Sequence, residues 1–242
     1  MPRKRRLSAS RNVLQDLVAA NRILYRHGVL DAYGHVSVRS DGAADHFVMS
    51  RSLAPPLVML ADLVEHGPDS EPVADTRRPY LERFIHGEIY RQRPDVMAVV
   101  HSHSDSVIPF GITKGALQPV YHMASFLGAG VPVFEIRDTV VDNDLLVRDT
   151  RLGAALARRL GACACVLMRG HGMTIVGDSL PEAVFRAVYT ERNAKLQAMA
   201  QQLEGPIRFL SAEEAVRATR SNRSTLERPW ELWKKAALRR GE

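Results

Sequence analysis

His101-Ser102-His103 follows the apolar run Met97-Ala98-Val99-Val100, so the two imidazoles leave a strand on the same side, because strand side chains repeat every second residue. Two neutral nitrogens so placed can reach one metal ion, and a hydrogen-bonded pair of histidines at a strand end is the alternative. His171 stands between Gly170 and Gly172. Those glycines relax the backbone and remove bulk where a third ligand would approach a shared ion. Glu82 and His86 lie one turn apart on a predicted helix ahead of the His-x-His strand, and either could face the same point while the other packs. Three histidines, a carboxylate and an open coordination position suit a Lewis-acid catalyst better than a closed structural site.

The elements that must position these groups can be read from periodicity. Ser8 or Ser10 caps a first helix with apolar residues Val13, Leu14, Leu17, Val18, Ile23 and Leu24 at helical spacing, stopped by Gly28. Alternation then predicts paired strands at His35 to Arg39 and Phe47 to Met49 around the turn Ser40-Asp41-Gly42. A helix is expected from about Tyr80 to Gln92, closed by Arg93-Pro94-Asp95, and a strand from Val96 into His101. Further strands are expected at Val131 to Ile136, Cys163 to Met168 and Met173 to Val176, with helices over about Asp144 to Leu160 and Leu180 to Gln202. Ser179 and Pro181 open the last of these and Gly205 ends it. Several adjacent strands have short links, which favours an α/β fold with a mixed or antiparallel sheet and helices on both faces.

At 242 residues and 45% hydrophobic content, the chain can bury one large core. No stretch approaches the roughly 18 uninterrupted apolar residues of a membrane helix, and the N-terminus lacks the apolar core of a secretory signal, so a cytoplasmic protein is expected. The net charge of +6 invites a nucleic-acid reading, but the excess gathers at the ends, in Arg3-Lys4-Arg5-Arg6 and in Lys234-Lys235 with Arg239-Arg240. Solvated tails explain it, and neither nucleic acid nor membrane is expected as a partner. Cys163 and Cys165 at i, i+2 should share one face of a strand as buried thiols rather than form a disulfide. The organisation expected is a basic tail at 1–7, a domain at 8–210 and a helical C-terminal arm at 211–242, with Trp230 and Trp233 anchoring the arm. Tyr189, Glu191 and Arg192 on the long helix face either packing or a neighbouring subunit's site.

From about Leu14 to Leu210 the sequence resembles the class II aldolase/adducin family. The motifs are Gly34-His35-Val36-Ser37-Val38-Arg39, Glu82-x-x-x-His86-x-x-x-Tyr90-x-x-Arg93-Pro94-Asp95, Val99-Val100-His101-Ser102-His103 and Arg169-Gly170-His171-Gly172. The resemblance implies an α/β class II aldolase-like sandwich, commonly a homotetramer with sites near subunit interfaces. Three histidines bind zinc or another divalent ion there, and a glutamate serves as acid/base or extra ligand. Carried over, these are His101, His103, His171 and Glu82, with one Zn2+ or Mn2+, or Fe2+, per subunit.

Departures from the sugar-phosphate aldolases of this type narrow the expectation. His35 follows Gly34 where they carry Asn, and Tyr80-Leu81 replaces a Ser-Ser pair that cradles phosphate. An aromatic and an aliphatic wall in place of two hydroxyls suits a planar, non-phosphorylated substrate. Arg51, in Ser50-Arg51-Ser52, offers a guanidinium that could grip a carboxylate, a surface salt bridge being the alternative. These variants resemble the branch of 3-hydroxy-2-methylpyridine-4,5-dicarboxylate decarboxylase-like enzymes. The implied activity is decarboxylation of a small anionic hydroxylated aromatic or heteroaromatic carboxylate, the electron pair left behind being held as an enolate-like anion. His35, Arg51 and Tyr80 are the expected substrate contacts, and Glu82 the expected proton donor. His122, beside Tyr121 in a predicted helix, is a second donor candidate or a packed core histidine. An aldolase acting on a non-phosphorylated hydroxy-keto substrate, a non-haem iron oxygenase and a non-catalytic adducin-like module are the alternatives.

Overall fold

The computed structural model describes residues 7–238, so the Arg3 to Arg6 tail and Arg239-Arg240 lie outside the described residues. Seven strands form one sheet: β1 (His35–Arg39), β2 (Phe47–Ser50), β3 (Leu63–His66), β4 (Ala98–Ser102), β5 (Val133–Phe134), β6 (Cys165–Met168) and β7 (Gly172–Gly177). Their order is β3-β2-β1-β4-β7-β6-β5. Every pairing is antiparallel except β5 with β6. This is the mixed sheet that the short links between strands imply.

The sheet is buried on both sides, and each strand's alternation divides its side chains between two cores. Val36, Val38, Ala98, Val100, Met173 and Ile175 join one core with α1 (Arg11–Arg26), α5 (Leu180–Ala200) and α7 (Glu227–Leu238). Met49, Val99, Val166 and Val176 join the other with α2 (Arg83–Gln92) and α4 (Thr150–Leu160). The short α3 (Ile108–Ile112) sends Phe110 into the first core. By this alternation His35, Ser37 and His101 project towards α2, with His35 opposite His101 in register.

Caps set the helix ends. Ser10, Asp149 and Ser179 accept from the third residue of α1, α4 and α5 in turn, and Gly28, at φ 66°, follows α1 in the left-handed region. The C-terminal helices pack on the body: α6 (Ala212–Arg223) lies on the 3-10 helix His122–Ala129, through Thr219 Oγ1 donating to Ser125 Oγ at 3.0 Å. Trp230 is buried in the first core, and Trp233 meets His27 edge-on at 4.8 Å between ring centres.

Three expectations need correction, and one strand was not anticipated. The strand expected over Val131 to Ile136 shrinks to Val133–Phe134, because Pro132 brings no N–H and Ile136 opens a 3-10 turn. The strand β3 carries no alternation legible in sequence, since all four of its residues are buried. The helix expected from Asp144 begins only at Thr150. Finally, Cys163 precedes β6 and packs against the second core while Cys165 belongs to the first, so the two free thiols do not share a face. Among the described residues no helix is long and apolar enough to cross a membrane.

Truncating the arm's anchor tests its place in the core: Trp230→Ala should cost about 3–5 kcal/mol, read as a lower urea midpoint at unchanged circular dichroism.

Candidate metal centre

Glu82 at the start of α2, His101 and His103 at the end of β4, and His171 between β6 and β7 come from three separate places and converge so that one ligand atom from each lies within 4.8 Å of the others. Nε2 of His103 is 3.3 Å from Nε2 of His101 and 3.1 Å from Nε2 of His171. Oε2 of Glu82 is 3.5 Å from His101 Nε2 and 3.4 Å from His171 Nε2. The far nitrogens fix the tautomers: His101 Nδ1 donates to Met173 O at 3.1 Å, and His171 Nδ1 donates to Leu145 O at 2.9 Å. The Nε2 lone pairs of both rings therefore face His103 Nε2 and the Glu82 carboxylate.

A proton can satisfy one such contact but not all of them, whereas a divalent cation satisfies all at once. Donors about 2.05 Å from an ion at tetrahedral angles stand about 3.3 Å apart, which matches the four separations of 3.1 to 3.5 Å. The donor set thus fits a Zn2+-like or Mn2+-like ion, and nitrogen with carboxylate does not choose among zinc, manganese and iron.

Irregular backbone holds the cluster. Glu82 is the N-cap of α2, but its side chain makes no capping bond and turns to the histidines instead. Its Oε1 accepts from Val147 N–H at 2.9 Å. Leu145, whose carbonyl fixes His171, sits at φ 69°, a left-handed conformation that costs a branched residue of order 1–3 kcal/mol. The Asp144 to Val147 segment is therefore pulled out of the helix its sequence favours by hydrogen bonds to Glu82 and His171. His171 sits in the tight turn between β6 and β7. A Cβ on Gly172 would lie 2.0 Å from Ser102 O, so only glycine lets this turn approach the His101-to-His103 strand end. Behind His103, buried Glu191 accepts from Ser104 Oγ and from Ser106 Oγ (2.8 Å) and pairs with Lys195 (2.9 Å), which assigns it to anchoring this loop within its own chain.

Charge follows geometry. Burial alone would raise the Glu82 pKa, but His101 and His171 outweigh it and hold the carboxyl well below its usual range. Burial lowers His101, and burial with the neighbouring His101 and His171 lowers His103 to about 4. Burial also acts to lower His171, yet the Glu82 carboxylate and the Leu145 carbonyl raise it. Glu82 is thus held ionised, which removes it as a ready proton donor in the free protein.

The cluster opens into a cavity of about 410 Å³ whose lining includes Tyr33, His35, Leu53, Arg78, Tyr80, Leu81, Glu82, His103 and Leu146. His35 and Tyr80 lie where the sequence expects them, with ring centres 4.6 Å apart. Tyr80 Oη donates to Leu53 O and meets Ser50 Oγ at 3.1 Å, so its ring, not its hydroxyl, faces the cavity. Arg51 does not line the cavity: its Nε donates to Asp62 Oδ1 at 2.9 Å. Arg78, which sequence reasoning missed, does line it, and its guanidinium makes no hydrogen bond or ion pair among the described residues. Three consecutive basic or ring residues, Arg78-Pro79-Tyr80, ahead of Glu82 were the available signal. His122 also departs from expectation. It is exposed rather than packed, it starts a 3-10 helix, and it lines no part of the cavity, its carbonyl instead accepting from Asn222 Nδ2 at 2.7 Å. A larger cavity of about 540 Å³ is lined by Arg93, Arg186 and Arg223, each already paired with an acidic neighbour, and it holds no such cluster.

The family model for the class II aldolase and adducin N-terminal domain matches residues 15–198, and the chain belongs to that family. The decarboxylase tropJ of Talaromyces stipitatus is 43% identical over 91% of this chain and 92% of that protein. The 3,4-dihydroxyphthalate decarboxylase of Terrabacter sp. is 30% identical over 86% of this chain and 87% of its own length. An aldolase II superfamily protein from Pseudomonas syringae, 22% identical, superposes with a TM-score of 0.81 over 99% of this chain and 97% of that one, which shows the fold. With relatives named decarboxylases at this coverage, the chain is an enzyme of lyase type.

The histidines also set an acid response. His103 and His66, each lowered to about 4 chiefly by burial, stay neutral in the folded state while the unfolded chain takes up protons near 6.5. Stability of the metal-free protein should therefore fall as pH drops from about 6.5 towards 4; His171, raised, opposes this but is outnumbered. Urea midpoints across this window check the sign. Gly172→Ala should displace the His171 turn and lower metal affinity at least about tenfold, measured by chelator competition.

Proposed function

We propose that the chain is a divalent-metal-dependent decarboxylase of a hydroxylated aromatic or heteroaromatic carboxylate, with His101, His103, His171 and Glu82 as the ligand set. The observation that carries this reading is the convergence of three imidazole Nε2 atoms and an ionised carboxylate at the floor of a cavity walled by rings. The metal, when bound, supplies Lewis acidity that takes up the negative charge left as the bond to the departing carboxyl breaks.

The chain's own residues do the rest. Tyr80, Leu53 and Leu146 offer apolar surface to a planar ring and exclude water from it. Arg78, whose guanidinium is unpaired among the described residues, binds a carboxylate of the substrate in the place expected of Arg51. Glu82, held ionised in the free protein, would give up its place beside the ion to accept the proton of the substrate's hydroxyl and return it to the ring carbon, leaving the three histidines to hold the metal. His35 sets the polar side of the cavity. The place of Tyr80-Leu81 in the wall favours this over aldol cleavage of a sugar phosphate, because neither side chain cradles a phosphate. The names of the two relatives support the same reaction class.

Protein purified without chelator should hold close to one divalent ion per chain and release carbon dioxide from 3,4-dihydroxyphthalate or a related hydroxy-dicarboxylate. An aldehyde product, or oxygen uptake with bound iron, would overturn the assignment in favour of an aldolase or an oxygenase. His103→Ala should lose metal and turnover together while keeping the fold. Arg78→Ala should raise KM about tenfold or more with a smaller change in kcat, whereas Arg51→Ala should leave KM near the wild-type value.

A further inference from the structure

A buried chain of polar groups runs behind the cavity wall, between β1 and α2. Tyr90 Oη lies 2.8 Å from Ser37 Oγ, Ser37 Oγ lies 2.6 Å from His86 Nδ1, and His86 Nε2 lies 2.6 Å from His35 Nδ1. Ser37 and His86 are fully buried, and His35 is 3% exposed where it reaches the cavity. Among the described residues no carboxylate is hydrogen-bonded to either ring and both rings are buried, so both imidazoles are neutral and each carries one N–H.

The direction of such a chain is decidable by counting protons. Among the described residues neither Ser37 Oγ nor Tyr90 Oη has another hydrogen-bond acceptor. Were His35 to donate to His86, then His86 Nδ1 would donate to Ser37, and the hydroxyl proton of Ser37 or Tyr90 would be left without an acceptor. A buried donor stranded in this way costs about 1–3 kcal/mol. In the opposite direction Tyr90 donates to Ser37, Ser37 to His86 Nδ1, and His86 Nε2–H to His35 Nδ1. Every proton then has an acceptor except the last, His35 Nε2–H, which is turned to the cavity.

We propose that Ser37 and His86, fed by Tyr90, are a positioning relay that locks His35 as its Nε2–H tautomer and so gives the substrate cavity a fixed hydrogen-bond donor. A donor of this kind selects a ligand that presents an acceptor oxygen at that wall and disfavours one that presents only an N–H there, because two facing N–H groups leave both unpaired. That this oxygen belongs to a hydroxylated aromatic carboxylate rests on the proposed decarboxylase reading. The tautomer itself does not. The relay also accounts for His86, one turn from Glu82 on the same helix, which packs away from the metal cluster.

Nitrogen NMR of protein labelled with 15N-histidine reads the ring protons directly, with His35→Asn and His86→Asn used for assignment. In the wild-type protein at neutral pH, metal-free and zinc-loaded, both His35 and His86 should show a protonated Nε2 and an unprotonated Nδ1. Ser37→Ala, which removes the donor to His86 Nδ1, should bring up a second set of signals with His35 protonated at Nδ1, and Ser37→Thr should restore the single set. A merely structural serine would lower the melting temperature and leave the nitrogen pattern unchanged. His35 protonated at Nδ1 in the wild type, or an unchanged single pattern in Ser37→Ala, would overturn the relay. No substrate enters the measurement, so a wrong reaction assignment, read by the carbon dioxide assay, is distinguished from a wrong relay.

Discussion

Three imidazole nitrogens and a carboxylate oxygen gathered within 4.8 Å of one another are unfavourable unless something positive, a proton or a cation, lies between them, and much of this structure exists to force that arrangement. The far nitrogens of His101 and His171 are committed to the carbonyls of Met173 and Leu145, so neither ring can rotate away to relieve the repulsion. Glu82 is pinned by Val147 N–H. A site held together by outer hydrogen bonds is preorganised for a cation, since the protein folds with the repulsion already in place.

The fold supplies the approach of these groups through a few tight contacts. The His101 strand end and the His171 turn meet across a gap that admits no side chain at Gly172. Glu191 on α5 ties the serines that follow His103 to the opposite layer, so both faces of the sheet contribute to one cluster. Strain at Leu145 is the local cost of this arrangement, sustained because the neighbouring backbone bonds to both Glu82 and His171.

Around the cluster, rings and aliphatic side chains wall the cavity. Tyr80 turns its hydroxyl into the Ser50 to Leu53 loop and its ring into the cavity, so a residue that is polar by type acts here as an apolar surface. The same principle governs the arginines. Arg51 pairs with Asp62, while Arg78, nearby in space and in no ion pair among the described residues, is left to face the cavity.

The sequence by itself determined the chemical types at the site and the frame that carries them. His101 and His103 share a side because strands repeat every second residue, His171 needs glycines beside it, and strand and helix periodicity placed α1, α2, α5, β1, β2 and β4 near where they lie. Those features depend on neighbours within a few residues. Only the tertiary structure decided that Asp144 to Val147 abandons a helix, that β3 joins the sheet edge, that Cys163 and Cys165 part between two cores, that His122 stays on the surface, and that Arg78 rather than Arg51 meets the cavity. In each case the deciding partner lies far away in sequence, as Val147 does from Glu82 and Ser37 from His86. A side chain's direction at the end of an element is set by the hydrogen bond it finds there, and local propensity carries no record of that partner.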